Sequence, residues 1–368
     1  MERTVLLEAR RQALRNHDDS LFGRCGREYL MQTPMKAAHA RPKVPAVRKP
    51  RLTTAQRPAV QEAAFARHET FAPRYGWLKK AYDAVENDGA VFTREDAALR
   101  LGVGKNMARA IRYWALAFGI VEEIPTASGR ASGTLRPSAF GAHLLSERGW
   151  DPFLEDLGSL WLLHWNLLSA TGIATSWRYA FFEFGLSEFS VDDFVASLAA
   201  MVTRQYPTAR KANSSLRKDA SCIVQMYAGG SLRRVETEET IASPFVQLEI
   251  IGRGLAPRHV TFRLGDKPGL SPEIVVALCL DYMNERSQER SASFATLLRG
   301  IGSPGLALRL SESSLYAAIE YVTRRTKTLH LSDSAGIIQL SVSEAPSMAR
   351  DSLLRAHYAE QGDHRRRQ

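Results

Sequence analysis

Apolar residues recur at helical spacing from residue 97 to residue 118, and the pattern breaks once, at Gly102-Val103-Gly104. This predicts two short helices joined by a glycine turn. Thr93, with Asp96 three residues on, has the spacing of a capping box and is expected to open the first helix. Ala97, Ala98 and Leu101 supply its packed face. The second helix, residues 105 to about 118, sets Met107, Ala110, Ile111 and Trp114 on one stripe. Lys105, Arg109 and Arg112 fall at i, i+4 and i+7 on the other side, with Asn106 beside them. A helix with one buried and one cationic face has the make-up of a recognition helix. Gly119-Ile120-Val121 then begins a strand, a loop of small residues carries Arg130, and Thr134-Leu135-Arg136 returns as a second strand. That order predicts a winged helix whose wing, with Arg130 and Arg136, touches phosphates. A helix-turn-helix used for protein contacts alone is the competing reading, because a fold does not fix its function.

Further along, residues 150–169 are apolar nearly all round, with Trp161, His164 and Trp165 one turn apart. Such a helix sits at the centre of a domain, and His164 is expected to be a satisfied core histidine. Ser190 with Asp193 opens a helix through Phe194, Leu198 and Val202 that stops at Tyr206-Pro207. A connector with Arg210 and Lys211 leads to a helix carrying Arg217 and Lys218, and no acid follows Arg204 until Asp219. A basic run at a helix N-terminus suits phosphate; a solvated face is the alternative. Residues 245–251 and 259–264 alternate as an antiparallel pair around Gly252-Arg253-Gly254. The end repeats the opening logic: a helix over 294–299, a turn at Ser303-Pro304-Gly305, a helix capped by Ser311, and a hairpin over 329–342.

The predicted class is therefore mainly α with small β-hairpins, as tandem winged helix-turn-helix-like modules. The expected divisions are a basic, disordered N-terminal arm (1–60) and a first winged-helix domain with the buried aromatic helix (61–186). A second helical and β-hairpin module (187–287), a third winged-helix-like module (288–345) and a C-terminal helix with a basic tail (346–368) follow.

The net charge of +10 looks like support for nucleic acid, but residues 1–58 hold 13 Lys and Arg against 5 acids, and Arg365, Arg366 and Arg367 add three more. The body between is close to neutral, so any DNA-binding surface there must be local. Cys25, Cys222 and Cys279 lie far apart with no CxxC pair, which fits a reducing cytoplasm and neither a disulfide framework nor a structural zinc. No segment is long and apolar enough for a membrane; a soluble cytoplasmic protein is expected.

Motifs that would carry chemistry mostly fail. Gly104-Lys105 lacks the earlier glycine (position 99 is Leu) and the following Ser or Thr of a phosphate loop. Gly300-Ile301-Gly302-Ser303-Pro304-Gly305 spells a dinucleotide fingerprint but follows a helix and contains a proline. His68-Glu69, alone among such pairs, lies beside both aromatic and basic residues and is the catalytic candidate; a hydrogen-bonded structural turn is the alternative. Otherwise the catalytic residues and metal ligands are unidentified.

The run Phe65-Ala66-Arg67-His68-Glu69-Thr70-Phe71, with Arg74-Tyr75-Gly76-Trp77-Leu78-Lys79-Lys80, the turn from Gly102 to Met107 and Leu160-Trp161-Leu162-Leu163-His164-Trp165, resembles the SspB family of bacterial single-strand DNA phosphorothioation gene clusters. The resemblance covers residues 63–345, and Arg67 stands where the family pattern is expected to have glycine. It implies a DNA-binding component that introduces or assists nicks in duplex DNA, with a divalent metal ion (Mg or Mn) as cofactor. Its implied partners are double-stranded DNA and a cysteine desulfurase, an ATPase and a sulfurtransferase-like protein. The DNA-contacting residues would be Lys105, Asn106, Arg109, Arg112, Arg130, Arg136, Arg210, Lys211, Arg217 and Lys218. A non-catalytic winged-helix regulator or assembly scaffold is the alternative.

Overall fold

A computed structural model describes residues 63–125, 131–169, 173–207, 212–229, 243–286 and 288–367. The N-terminal arm up to residue 62, Arg130, Arg210 and Lys211 lie outside the described residues. After an irregular stretch, α1 (Trp77–Asn87) buries Trp77, Leu78, Ala81, Tyr82 and Val85. The helix pair of the sequence reading follows as α2 (Ala97–Arg100) and α3 (Lys105–Ala117). Gly102, at φ +60°, makes the left-handed reversal between them. On α3, Ala110, Ile111 and Trp114 are fully buried, as the apolar stripe predicts.

Thr93 does not cap α2. It ends a short 3-10 turn, Val91–Thr93, and donates its hydroxyl to the Ala90 carbonyl at 2.7 Å. Asp96 takes the N-cap place but bonds Arg100 at 2.8 Å rather than the helix amides. The reason lies upstream. Gly89 accepts the Leu135 N–H at 2.8 Å, and a Cβ there would meet the Leu135 oxygen at 2.4 Å. The chain before α2 is held against the coming hairpin and cannot adopt a cap.

That hairpin is β1 (Val121–Pro125) and β2 (Ala131–Pro137), antiparallel, with Glu122 opposite Arg136. α4 (Ala139–Leu145) returns the chain to α5 (Leu157–Ser169), whose buried set includes Leu160, Trp161, Leu163, His164, Trp165, Leu167 and Leu168. α6 (Thr175–Phe182) packs beside it. Next come β3 (Glu188–Phe189), α7 (Val191–Gln205) with the predicted Ser190/Asp193 capping box, α8 (Asn213–Ala228), β4 (Ile251–Arg253) and β5 (Val260–Phe262). The expected strand over 245–251 is mostly a 3-10 turn, Pro244–Leu248. Its Phe245 stacks on Phe118, ring centroids 4.9 Å apart, so aromatic packing onto α3's end displaces the alternation.

α9 (Pro272–Glu285), β6 (Ser291–Ser293), α10 (Phe294–Arg299), α11 (Pro304–Ala307), α12 (Glu312–Thr323), β7 (Leu329–Ser334), β8 (Ile337–Val342) and α13 (Pro346–Arg367) complete the chain. The two three-stranded sheets run β3-β5-β4 and β6-β8-β7, each with the last strand in the middle. The first hairpin has two strands, and its β2 makes one further backbone bond, Leu135 to Gly89. Buried residues from Ala72 to Tyr358 form one continuous apolar cluster. Cys222 and Cys279 are free and buried, and burial pushes Cys279 up to about 12. Among the described residues no helix is long and apolar enough to cross a membrane.

His164 occupies the predicted core position: Nδ1 meets the Tyr227 hydroxyl at 2.7 Å and Nε2 the Ala307 carbonyl at 2.9 Å. Nε2–H must donate to the carbonyl, so Nδ1 accepts from Tyr227. Burial holds its pKa down at about 4. Because that lies below the unfolded value near 6.5, the unfolded chain takes up the proton first. Stability should therefore fall as pH drops from about 6.5 towards 4, by up to about 3 kcal/mol from this group. Urea unfolding across that range, compared with His164→Gln, checks it: equal pH slopes in the two proteins would exclude His164 as the source.

Candidate nucleic-acid interface

Residues 64–71 make a tight bend in which Ala66, Glu69 and Thr70 adopt φ of 56°, 50° and 68°. Left-handed non-glycine residues cost on the order of 1 kcal/mol each, so surrounding bonds must hold them. They do so through Asp219 on α8. Its Oδ1 accepts the Ala66 N–H at 2.8 Å and faces His68 Nε2 at 2.9 Å, while Oδ2 accepts the Ser176 hydroxyl at 2.6 Å. The His68 ring lies among Tyr113, Trp114 and Trp177 and is fully buried. Trp114 donates its indole N–H to the Phe71 carbonyl at 2.9 Å. The bend sends neighbouring side chains apart. His68 turns into the core, whereas Glu69 turns outward to within 3.7 Å of Arg109. The two do not form one surface site.

Around Glu69 a cleft of about 890 Å³ opens between the bend, α3 and β1. Tyr113, Leu116, Val121 and Ile173 give it apolar lining, and Arg67, Arg109, Arg112, Glu69, Glu122 and Glu123 its charge. Arg112 bonds Glu123 at 2.5 Å, and Arg136 bonds Glu122 at 2.7 Å. Most of the expected cationic stripe thus faces carboxylates. Lys105 and Asn106 are exposed at the start of α3.

α8 occupies in β3-to-β5 the place that α3 occupies before β1 and β2. Its outer face carries Ser214, Arg217, Lys218, Ser221 and Gln225, all exposed, in one line with no acid among them. Arg217 also reaches Asp192 of α7 at 2.5 Å, both groups being more than half exposed. The equivalent α12 differs, exposing Glu312 and Tyr321 and half-exposing Tyr316 and Glu320. Carboxylates on that face repel phosphate.

Asp219, Glu122 and Glu123 are the residues that sequence reasoning missed. The Glu122–Arg136 contact was readable in principle from hairpin register. The pairing of Glu123 with Arg112, eleven residues apart across a helix-to-strand joint, was not. Nor does the sequence mark Asp219, which reads as the acid that ends a basic run.

Residues 65–358 match the family described as "Protein of unknown function (DUF4007)". The SspB crystal structure is similar at 35% identity and a TM-score of 0.76, over 82% of this chain and 90% of that one. A magnesium ion-bound SspB crystal structure is similar at 35% identity and a TM-score of 0.75, over the same shares. No curated protein matches. Among the described residues of this chain, no three His, Cys, Asp or Glu side chains group as ion ligands. The cleft carboxylates each face an arginine, so the described residues present no fitted cage for the ion. With a family match over most of its length and this identity to SspB, the chain belongs to the DUF4007 family of SspB-like proteins.

Proposed function

We propose that the protein is a DNA-binding component of a bacterial phosphorothioation or anti-phage system, engaging duplex DNA and introducing or assisting the nicks that sulfur modification needs. Its likeness to SspB supports the setting, in which a cysteine desulfurase, an ATPase and a sulfurtransferase-like protein would be its partners. Helices followed by a hairpin recur three times, twice with the last strand central and once with Leu135 bonding Gly89, and this supports the reading of tandem winged helices within 61–186, 187–287 and 288–345.

The observation that carries DNA binding is the acid-free outer face of α8. Arg217 and Lys218 would hold phosphates, and Ser214, Ser221 and Gln225 supply groups able to bond backbone oxygens or base edges. The exposed Asp192–Arg217 pair adds little stability and yields to a phosphate. Lys105 and Asn106 would make a second contact, and Arg130, Arg136, Arg210 and Lys211 further ones. Of the catalytic candidates, Glu69 reaches the cleft, and His68 would act only by positioning it.

The full-length protein should relax supercoiled plasmid in Mg or Mn, with Glu69→Gln slowing it at least tenfold. Tight binding with no nicked product under either ion would discard the enzyme reading. It would leave the second one, a non-catalytic binder or assembly scaffold, which the burial of His68 favours.

A further inference from the structure

Duplex reading by α8, with Glu69 as the catalytic candidate, leaves the rest of the cleft beside α3 without a role. Its six charged residues are three arginines and three glutamates over an apolar lining. A surface meant for duplex phosphates would not place Glu69, Glu122 and Glu123 among its cations. The Arg109–Glu69 pair does not serve as a structural clamp either. Arg109 is 57% exposed and 3.7 Å from Glu69, the kind of contact that adds little stability and exchanges readily with a ligand.

We propose that this cleft receives one unpaired nucleotide of the bound DNA; the proposal rests on the DNA-binding reading above. The edge of a nucleobase presents donors and acceptors side by side. Carboxylates accept from exocyclic amino groups, and guanidinium groups donate to ring nitrogens and carbonyl oxygens. Tyr113, Leu116, Val121 and Ile173 offer apolar contact to the ring, and Arg67, exposed at the rim, can hold the attached phosphate. The volume, about 890 Å³, lies within the range of small-ligand sites.

Position supports this as well as chemistry. The cleft's Ala66 is anchored by Asp219, the neighbour of Lys218, and Ser176, three residues after the cleft's Ile173, bonds the same carboxylate. The bend beside the cleft and the helix that carries the basic face are therefore held by one buried anchor. Extruding a base from a duplex costs a few kcal/mol and is easiest where the base is already unpaired. A cleft of this kind would favour DNA with a bulge, mismatch or displaced strand.

The test uses two duplexes of equal length, one fully paired and one with a single bulged 2-aminopurine, titrated with the full-length protein. The bulged duplex is expected to bind about tenfold tighter or more, with a change in 2-aminopurine emission. Leu116→Trp, which fills the cleft, and Arg67→Ala, which alters only an exposed side chain, should each bring the affinity ratio to within about twofold of unity. Equal affinity for the two duplexes with unchanged emission overturns the proposal and leaves DNA binding intact. A ratio untouched by both variants overturns it too. So does binding of free dAMP with no preference for the bulge, which would make the ligand a soluble nucleotide. Failure of wild type to bind either duplex would instead remove the DNA-binding reading itself.

Discussion

Asp219→Ala should destabilise the protein by about 3–5 kcal/mol, the cost typical of removing one partner from a buried charged network. Three donors converge on that carboxylate: the Ala66 amide, the Ser176 hydroxyl and the His68 ring. Alanine would leave all three without this acceptor, His68 and Ser176 fully buried and Ala66 partly so, and an unsatisfied buried donor costs about 1–3 kcal/mol. His68→Ala should be similarly severe for a different reason, since it opens a cavity among Tyr113, Trp114 and Trp177. The pair should show a coupling energy above about 1 kcal/mol in a double-mutant cycle followed by urea unfolding. Loosening the bend should also make the bond after Arg67 a preferred tryptic site. Single losses under about 1 kcal/mol would end the view of Asp219 as the anchor of this segment.

The largest functional effect should come from reversing charge on α8. Arg217→Glu with Lys218→Glu is expected to weaken duplex binding about 100-fold at moderate salt. It should also lower the slope of log affinity against log salt by about two, close to one unit for each phosphate no longer neutralised. Arg112→Ala should change affinity less than about threefold, because its pair with Glu123 is half-buried, whereas the Arg217–Asp192 pair is exposed and exchanges readily with a phosphate. The opposite ranking, with Arg112 dominant and the α8 pair silent, would move the interface to α3.

The second prediction departs from a reading of charge along the chain, which makes α3 the recognition helix and leaves the basic run before Asp219 open to being a solvated face. Helical spacing located both helices, the buried stripe through Ile111 and Trp114, the core position of His164 and the Ser190/Asp193 capping box. All of these depend on residues within one or two turns of each other. The same reasoning placed Thr93 as a cap and residues 245–251 as a strand. Both gave way to distant partners: Leu135 drawing on Gly89, and Phe118 receiving Phe245. The family likeness was carried by the run around His68, but the run itself did not reveal that His68 points inward.

Periodicity, capping residues and glycine turns were thus enough to establish a mainly helical chain with small hairpins and a localised, not global, basic character. Local backbone preference and side-chain direction act over four residues or fewer, and a sequence displays them openly. Which cations remain available to a phosphate was settled only by the docking of elements. Arg112 meets Glu123 across a joint, Arg109 faces Glu69 across the cleft, and Arg217 reaches Asp192 of α7 in a more exposed pair, while the outer face of α8 carries no acid of its own. Coulombic pairing falls off with distance in space, not along the chain. A stripe of arginines therefore has no fixed meaning until the fold has placed the carboxylates around it.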